Sequence, residues 1–326
     1  MKTLVSLLWL FALACMPMTS SAGTLREGWQ AVDGLRLFYR EGGSPDDPTV
    51  VFLHGYPLSS IQYARVMEQL ADRHLHVIAV DYPSFGYSSA PDHAHYSYTF
   101  DNIARTVAAF LKARSVRRYA LYMQDYGAPV GFRLLAWSPD SVAALIVQNG
   151  VIHLDGFPAA ANEQGELRQH WEHRNPKVDA RRRAFAEKLG FPTPADWSDD
   201  PEMSPDAILL MTTSEQRPGV IDARNDLWFD YGNNVARYPV WQALLHRLAL
   251  PTLILWGSRD DFFTVPGAFA YLRDVPAAEV HVLNTVHFAT LETPEEISTL
   301  IADFAERHPE IRSGPTNRPT PIRTSR

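Results

Sequence analysis

Two aspartates and a histidine, Asp125, Asp260 and His287, follow one another along this chain of 326 residues, each at or just past the end of a short apolar run. An acid, a second acid and a histidine in that chain order form a nucleophile–acid–base series, the arrangement on which covalent catalysis relies. Such a series is defined by roles, because its spacing differs from fold to fold. The first acid is the unusual one. "YALYM" (119–123) is an apolar run that continues into "QDYG", so a carboxylate stands where a buried strand should stop. Taken singly, each residue also has a structural role open to it. An aspartate after a strand can cap the next helix, and a histidine in "NTVHFAT" can be an ordinary loop residue.

The elements that must position these side chains alternate along the chain. "WQAVDGLRLFYRE" (29–41) reads as two strand-like runs around the turn signal Asp33-Gly34. "TVVFLHG" (49–55), "HVIAVD" (76–81), "YALYM" (119–123), "VAALIVQNG" (142–150), "PTLILWG" (251–257) and "AEVHVLN" (278–284) read as further strands. The first of these is apolar without alternation, as a strand buried on both faces should be. Helical spacing separates them over 59–72, 99–113 and 128–136, and 295–307 closes the series. The pattern predicts an α/β fold with a mostly parallel central sheet and helices on both faces. Residues 151–245 break the rhythm: they hold no buried-strand run, several prolines, and Trp171, Trp197, Trp228, Tyr231 and Trp241. The strands resume at Thr252, which predicts a helical cap inserted between two parts of one core, 23–150 and 246–310.

Composition bounds the function. Hydrophobic residues make up 46% and charged residues 21%, and the net charge of −7 argues against a nucleic-acid or anionic-membrane surface. No Gly-rich phosphate loop and no internal repeat is visible. "MKTLVSLLWLFALACMPMTSSAG" combines Lys2, an apolar run and a small-residue segment, the layout of a secretory signal peptide cleaved after Ala22. The apolar run is far shorter than the roughly 20 residues a membrane span requires. Lipid attachment at Cys15, the only cysteine in the chain, is the less favoured alternative, since Leu13 sits one place too late for that signal. Export to the periplasm or medium is therefore expected, with a mature chain that holds no disulfide. Residues 311–326, rich in Pro, Thr and Arg, read as a disordered tail.

Parallel sheets carry their chemistry at the carboxyl ends of strands. Those positions are His54-Gly55-Tyr56-Pro57, Asp81, Asp125, Asn149, Asp260 with Asp261, and His287. With "HGYP", "MQDYG", "WGSRDD" and "NTVHFAT" at successive strand ends, the chain resembles the α/β-hydrolase family over nearly all of residues 25–308. The resemblance places Asp125 on the sharp strand-to-helix turn where serine hydrolases present their nucleophile. A carboxylate there implies displacement of a leaving group from an sp³ carbon and an alkyl ester with the enzyme. His287, oriented by Asp260, would activate the water that hydrolyses the ester. Asp260 is preferred to Asp261 because it stands four residues after Trp256, as in the family's "WG..D" spacing. Backbone N–H groups of Tyr56 and Tyr126 occupy the oxyanion-hole positions. Asn149 stands where some relatives keep their acid.

Aspartate nucleophiles on this fold resemble two groups, epoxide hydrolases and haloalkane or haloacid dehalogenases. An epoxide oxygen needs a proton, supplied by phenols of the cap. A halide needs N–H donors, and the two positions that supply them in dehalogenases are Tyr56 and Tyr126 here. That departure favours epoxide opening, although "MQD" is closer to the dehalogenase turn. In "LWFDYGNNVARYP" (227–239), Tyr231 and Tyr238 are the candidate proton donors, Tyr231 preferred because Asp230 and Asn234 suggest a polar, inward-facing loop. The implied partners are a small epoxide or organohalide and water. No cofactor, metal or nucleic acid is implied. A non-catalytic binding protein of this fold stays open as a further alternative, ranked below because acid and base are both retained. His153 could line the pocket. His74 with His76 and His93 with His95 have metal-compatible spacing but no supporting ligands, and Arg181 to Arg183 read as a solvated helix face.

Overall fold

A computed structural model describes residues 23–158, 166–190 and 204–312. The signal-like segment with Cys15, Trp197, and the tail beyond Arg312 lie outside the described residues. Eight strands form one sheet in the order β1-β2-β4-β3-β5-β6-β7-β8. β1 (Arg26–Val32) and β2 (Leu35–Gly42) make an antiparallel hairpin across Asp33-Gly34, and β2 pairs antiparallel with β4 (His76–Val80). β3 (Thr49–Leu53), β5 (Tyr119–Gln124), β6 (Val142–Gln148), β7 (Thr252–Gly257) and β8 (Glu279–Leu283) continue the sheet in parallel.

Every residue of β4, β5, β6 and β7 is buried, which is why these runs are apolar without alternation. Helices cover both faces. α1 (Ala64–Ala71) buries Val66, Met67 and Leu70 on one side, where Ile297, Ile301 and Phe304 of a C-terminal helix join it. On the other side α2 (Phe100–Ala113) presents Ile103, Val107 and Phe110, and α3 (Gly127–Trp137) presents Val130 and Leu134. Thr99 caps α2 by accepting from the Asn102 N–H.

Between β6 and β7 the described residues form helices and no strand: α4 (Glu166–Glu172), α5 (Pro176–Gly190), α6 (Pro205–Glu215) and α7 (Val220–Leu248). α7 is 29 residues long and runs through Pro239. The stretch expected as an inward-facing loop at 227–239 is therefore helical. Asp230 and Asn234 are polar for another reason: they fasten α7 to the core. Asp230 Oδ2 accepts from the Phe100 N–H at 2.7 Å, and Asn234 Oδ1 accepts from Arg133 Nη1 at 2.7 Å. Arg224 adds a second fastening, donating to Ser84 Oγ at 2.7 Å while paired with Glu215 at 2.6 Å. Both members of that pair are almost fully buried, and cutting one partner of such a pair costs about 3–5 kcal/mol. The exposed Arg183–Asp222 pair is worth about 0–1 kcal/mol at most. The buried contacts therefore hold the cap.

α8 (Pro266–Ala270) lies between β7 and β8, and α9 (Ala289–Glu292), α10 (Pro294–Arg307) and α11 (Pro309–Arg312) follow β8. Ile311 is buried, so the first residues of the expected tail belong to a helix anchored by an apolar side chain. Among the described residues no helix is long and apolar enough to cross a membrane.

Candidate active site

The carboxyl ends of β3, β5, β6, β7 and β8 lie side by side, and this adjacency gathers residues from five distant stretches of chain. At the end of β5 the backbone turns sharply: Asp125 has φ +50°, a left-handed conformation that costs a non-glycine residue about 1–3 kcal/mol and recurs at functional turns. Two glycines permit the turn. A Cβ on Gly127 would lie 2.0 Å from the Leu53 carbonyl oxygen, and one on Gly55 would lie 2.3 Å from the Asp125 Cβ. The β3 and β5 ends can therefore approach only because neither position carries a side chain.

Asp125 is buried, with Oδ1 accepting from the Tyr56 N–H at 2.8 Å. Burial raises its pKa above the usual carboxylate range, against the opposing pull of His287 and the backbone N–H groups of Tyr56 and Tyr126. Its other oxygen, Oδ2, lies 3.8 Å from His287 Nε2. That gap is too long for a hydrogen bond. His287 Nδ1 bonds Asp260 Oδ2 at 2.7 Å. Burial disfavours the His287 imidazolium, but Asp260 and then Asp125 outweigh it, and its pKa is raised above the ordinary histidine value. Asp260 is itself held: Oδ1 accepts from the N–H groups of Phe262 and Phe263, and Oδ2 from Asn149 Nδ2 at 2.6 Å. Asp261 is exposed and takes no part. Asn149, where an acid was conceivable, instead ties β6 to the acid after β7 and accepts from the Gly257 N–H at 2.9 Å.

Arranged in this way, the three groups can attack, orient and move a proton. The pattern of the family described as the alpha/beta hydrolase fold matches residues 48–294. The chain belongs to this family. Among α/β hydrolases it is 34% identical, over 84% of its own length and 96% of the relative's, to an uncharacterized hydrolase of Saccharomyces cerevisiae. It is 39% identical to a haloalkane dehalogenase of Bradyrhizobium diazoefficiens over 34% of this chain and 35% of that protein. Among solved structures, a mutant of the haloalkane dehalogenase DatA from Agrobacterium tumefaciens superposes with TM-score 0.72 at 22% identity, covering 88% of this chain and all of that one. An epoxide hydrolase from Vigna radiata gives 0.68 at 21% identity, covering 88% of this chain and 99% of that one. The chain is thus a hydrolase of the α/β fold, a fold it shares with both of these structures.

Within this α/β-hydrolase frame, two cap phenols are buried within reach of the Asp125 charge. The Tyr231 and Tyr238 hydroxyls, seven residues apart on α7, lie 3.5 Å from each other, and the Tyr231 ring is 6.0 Å from that of Tyr126. Burial, reinforced by the Asp125 charge, lifts both pKa values, so both phenols stay protonated at neutral pH. The remaining strand-end residues serve structure. His54 is fully buried and neutral, its pKa pushed down to about 3 by burial, with Nε2 accepting from the Tyr82 N–H. Asp81 accepts from the Ser60 and Tyr87 N–H groups. His153 Nε2 is taken by Asp274 at 2.7 Å. His76 pairs with Glu41, His93 with Asp226, and His95 with Asp92.

Two residues escaped sequence reasoning. Gln124, fully buried, places Nε2 2.8 Å from His287 Nε2 and so donates to the nitrogen that would take a proton. The signal was an amide closing an otherwise apolar buried strand. Arg182 corrects the reading of 181–183 as a solvated face: Arg181 and Arg183 are exposed, whereas Arg182 turns in, with its guanidinium carbon 3.5 Å above the Trp228 ring. Helical periodicity alone could have separated the middle arginine from its neighbours only if the cap's packing were known.

Proposed function

We propose that the protein is an epoxide hydrolase-like enzyme with Asp125 as nucleophile. The observation that supports this reading is the pair of buried, protonated phenols, Tyr231 and Tyr238, carried by one cap helix and near enough to Asp125 for its charge to raise both pKa values. Asp125 Oδ2 attacks the less hindered epoxide carbon, and the C–O bond breaks. The alkoxide takes the proton of a cap phenol, leaving a phenolate and an alkyl ester on Asp125. A water then attacks Cγ of the ester while His287 Nε2 takes its proton, and Asp260 holds the imidazolium that results. The oxyanion that forms at Oδ1 lies against the Tyr56 and Tyr126 N–H groups. Collapse releases a diol, regenerates the carboxylate, and returns the proton to the phenolate through solvent or product. For Nε2 to receive the water's proton, Gln124 must release it.

A second reading, haloalkane dehalogenation, is favoured by the dehalogenase relatives and by the Trp171 indole, whose Nε1 is buried without a hydrogen-bond partner. The two are separated by assaying styrene-type epoxides for diol and short haloalkanes for halide release. In the proposed mechanism, replacing both Tyr231 and Tyr238 by Phe cuts epoxide opening by about a hundredfold or more. Turnover of a substrate whose leaving group needs no proton changes little. Equal losses on both substrates would reduce the phenols to packing.

A further inference from the structure

His287 stands between two carboxylates, with Nδ1 2.7 Å from Asp260 Oδ2 and Nε2 3.8 Å from Asp125 Oδ2. Among the described residues these are the charged groups that act on it, and the rings packed against it are those of Phe262, Phe263 and Phe288. Both carboxylates favour the imidazolium, and together they outweigh burial. An imidazolium in that position would close on Asp125, neutralise the nucleophile and leave Nε2 no lone pair for water. A third group touches the same nitrogen. Gln124, the last residue of β5 and fully buried, sets its Nε2 2.8 Å from His287 Nε2. Chemistry decides which end of the amide faces the ring. Asp260 can only accept, so Nδ1 carries the proton, Nε2 keeps its lone pair, and the amide must donate. The amide is also fixed from behind. A Cβ on Gly55 would lie 2.6 Å from Gln124 Oε1 and 2.5 Å from Asp125 Oδ1, so both side chains press on that bare backbone. Oε1 is buried with no hydrogen-bond partner among the described residues, so hydrogen bonding holds the amide through its N–H alone.

We propose that Gln124 is a positioning residue that latches His287 in its neutral form: its N–H covers Nε2 in the free enzyme, so no imidazolium closes on Asp125 before the substrate arrives. The inference rests on the two-step reading with Asp125 as nucleophile and adds a control on its base. The contact exists only while Nε2 has a lone pair, so protonation must first turn the amide away. In the free enzyme the amide therefore opposes the two carboxylates. Once the ester forms, the Asp125 charge is gone and the pull toward the imidazolium weakens. The water that attacks Cγ then takes the amide's place on Nε2 and gives its proton there. The latch guards the step in which a free Asp125 attacks and yields in the step that needs the base.

¹⁵N NMR of the free enzyme reads the latch without any substrate, the His287 ring being assigned by its loss in His287→Gln. In the wild-type protein the Gln124 side-chain amide signals should move with the same pH midpoint as that ring. Amide signals indifferent to that midpoint overturn the latch without reliance on a latch variant. Gln124→Met keeps a side chain of similar length and removes its N–H. The His287 midpoint should then rise by about half a unit to one unit, the size of one net hydrogen bond. A midpoint that stays in place or falls means that the amide serves both forms of the ring alike, and overturns the proposal. Rapid quench on an accepted epoxide then separates a latch from packing. In Gln124→Met the acid limb of ester formation should move up in pH with the midpoint, while ester breakdown keeps its limb and its plateau. Equal losses in both steps, with neither limb moved, would make Gln124 a packing residue and overturn the latch. If the midpoint rises as expected yet no epoxide or haloalkane leaves an adduct on His287→Gln, the latch stands and the reading of Asp125 as nucleophile falls.

Discussion

Replacing His287 with Gln should leave the protein able to capture its substrate and unable to let it go. In the proposed mechanism the ester between Asp125 and the substrate forms without a base, because a carboxylate attacks without first losing a proton, and the Tyr56 and Tyr126 N–H groups favour that form against the cost of burial. Hydrolysis of the ester needs His287 to take a proton from water, a contribution of about 10²–10⁴-fold. Steady-state turnover should fall by that factor while the protein gains the mass of one substrate. Peptide mapping should place the added mass within residues 119–133. A serine-type hydrolase behaves differently, because there the histidine must deprotonate the nucleophile before any adduct appears. An accepted substrate that leaves no adduct, or leaves one outside that peptide, would refute the two-step account. Full activity in Asp125→Ala would do the same.

Asp260→Asn should show the second large effect, in rate and in pH dependence. In the proposed mechanism His287 works as base only in its neutral form, so ester breakdown should slow as pH falls through its pKa. Burial pushes that pKa down, but Asp260 and Asp125 together raise it above the ordinary histidine value of about 6.5. In the alkyl-enzyme the Asp125 charge is gone and Asp260 is the raising partner that remains. Removing it leaves burial unopposed, so the acid limb of ester breakdown should move to lower pH. The plateau should drop by about 10³–10⁴-fold, because an amide cannot enforce the tautomer that exposes the Nε2 lone pair. Rapid-quench measurement of ester decay across pH reads both. A limb that stays in place, with a small loss of rate, would separate Asp260 from the base.

How much of this was legible in the sequence depends on what each signal depended on. Strands buried on both faces must be apolar throughout, so "HVIAV", "YALYM" and "TLILW" marked the sheet, and its strand ends exposed Asp125, Asp260 and His287 as candidates. The hairpin at Asp33-Gly34 was equally local. The cap was less legible, because its side chains answer to partners far away in sequence. Asp230 and Asn234 suggested a loop, yet they are polar because Phe100 and Arg133 of the core need acceptors. Arg182 sits among arginines of the same type and differs only in what it faces. Gln124 meets His287 across 163 positions of sequence, a contact that no local pattern encodes.

The central claim is that the oxygen delivered to the substrate comes from Asp125 and not directly from water. With enzyme in excess over a styrene-type epoxide, one turnover in ¹⁸O-labelled water tests this. Water attacks Cγ of the ester, so the bond that breaks joins Cγ to the oxygen already on the substrate. The first diol should therefore carry an unlabelled oxygen, and the peptide spanning 119–133 should gain the label. A labelled first diol with an unlabelled peptide would mean that water attacks the substrate directly, and Asp125 would lose its assigned role.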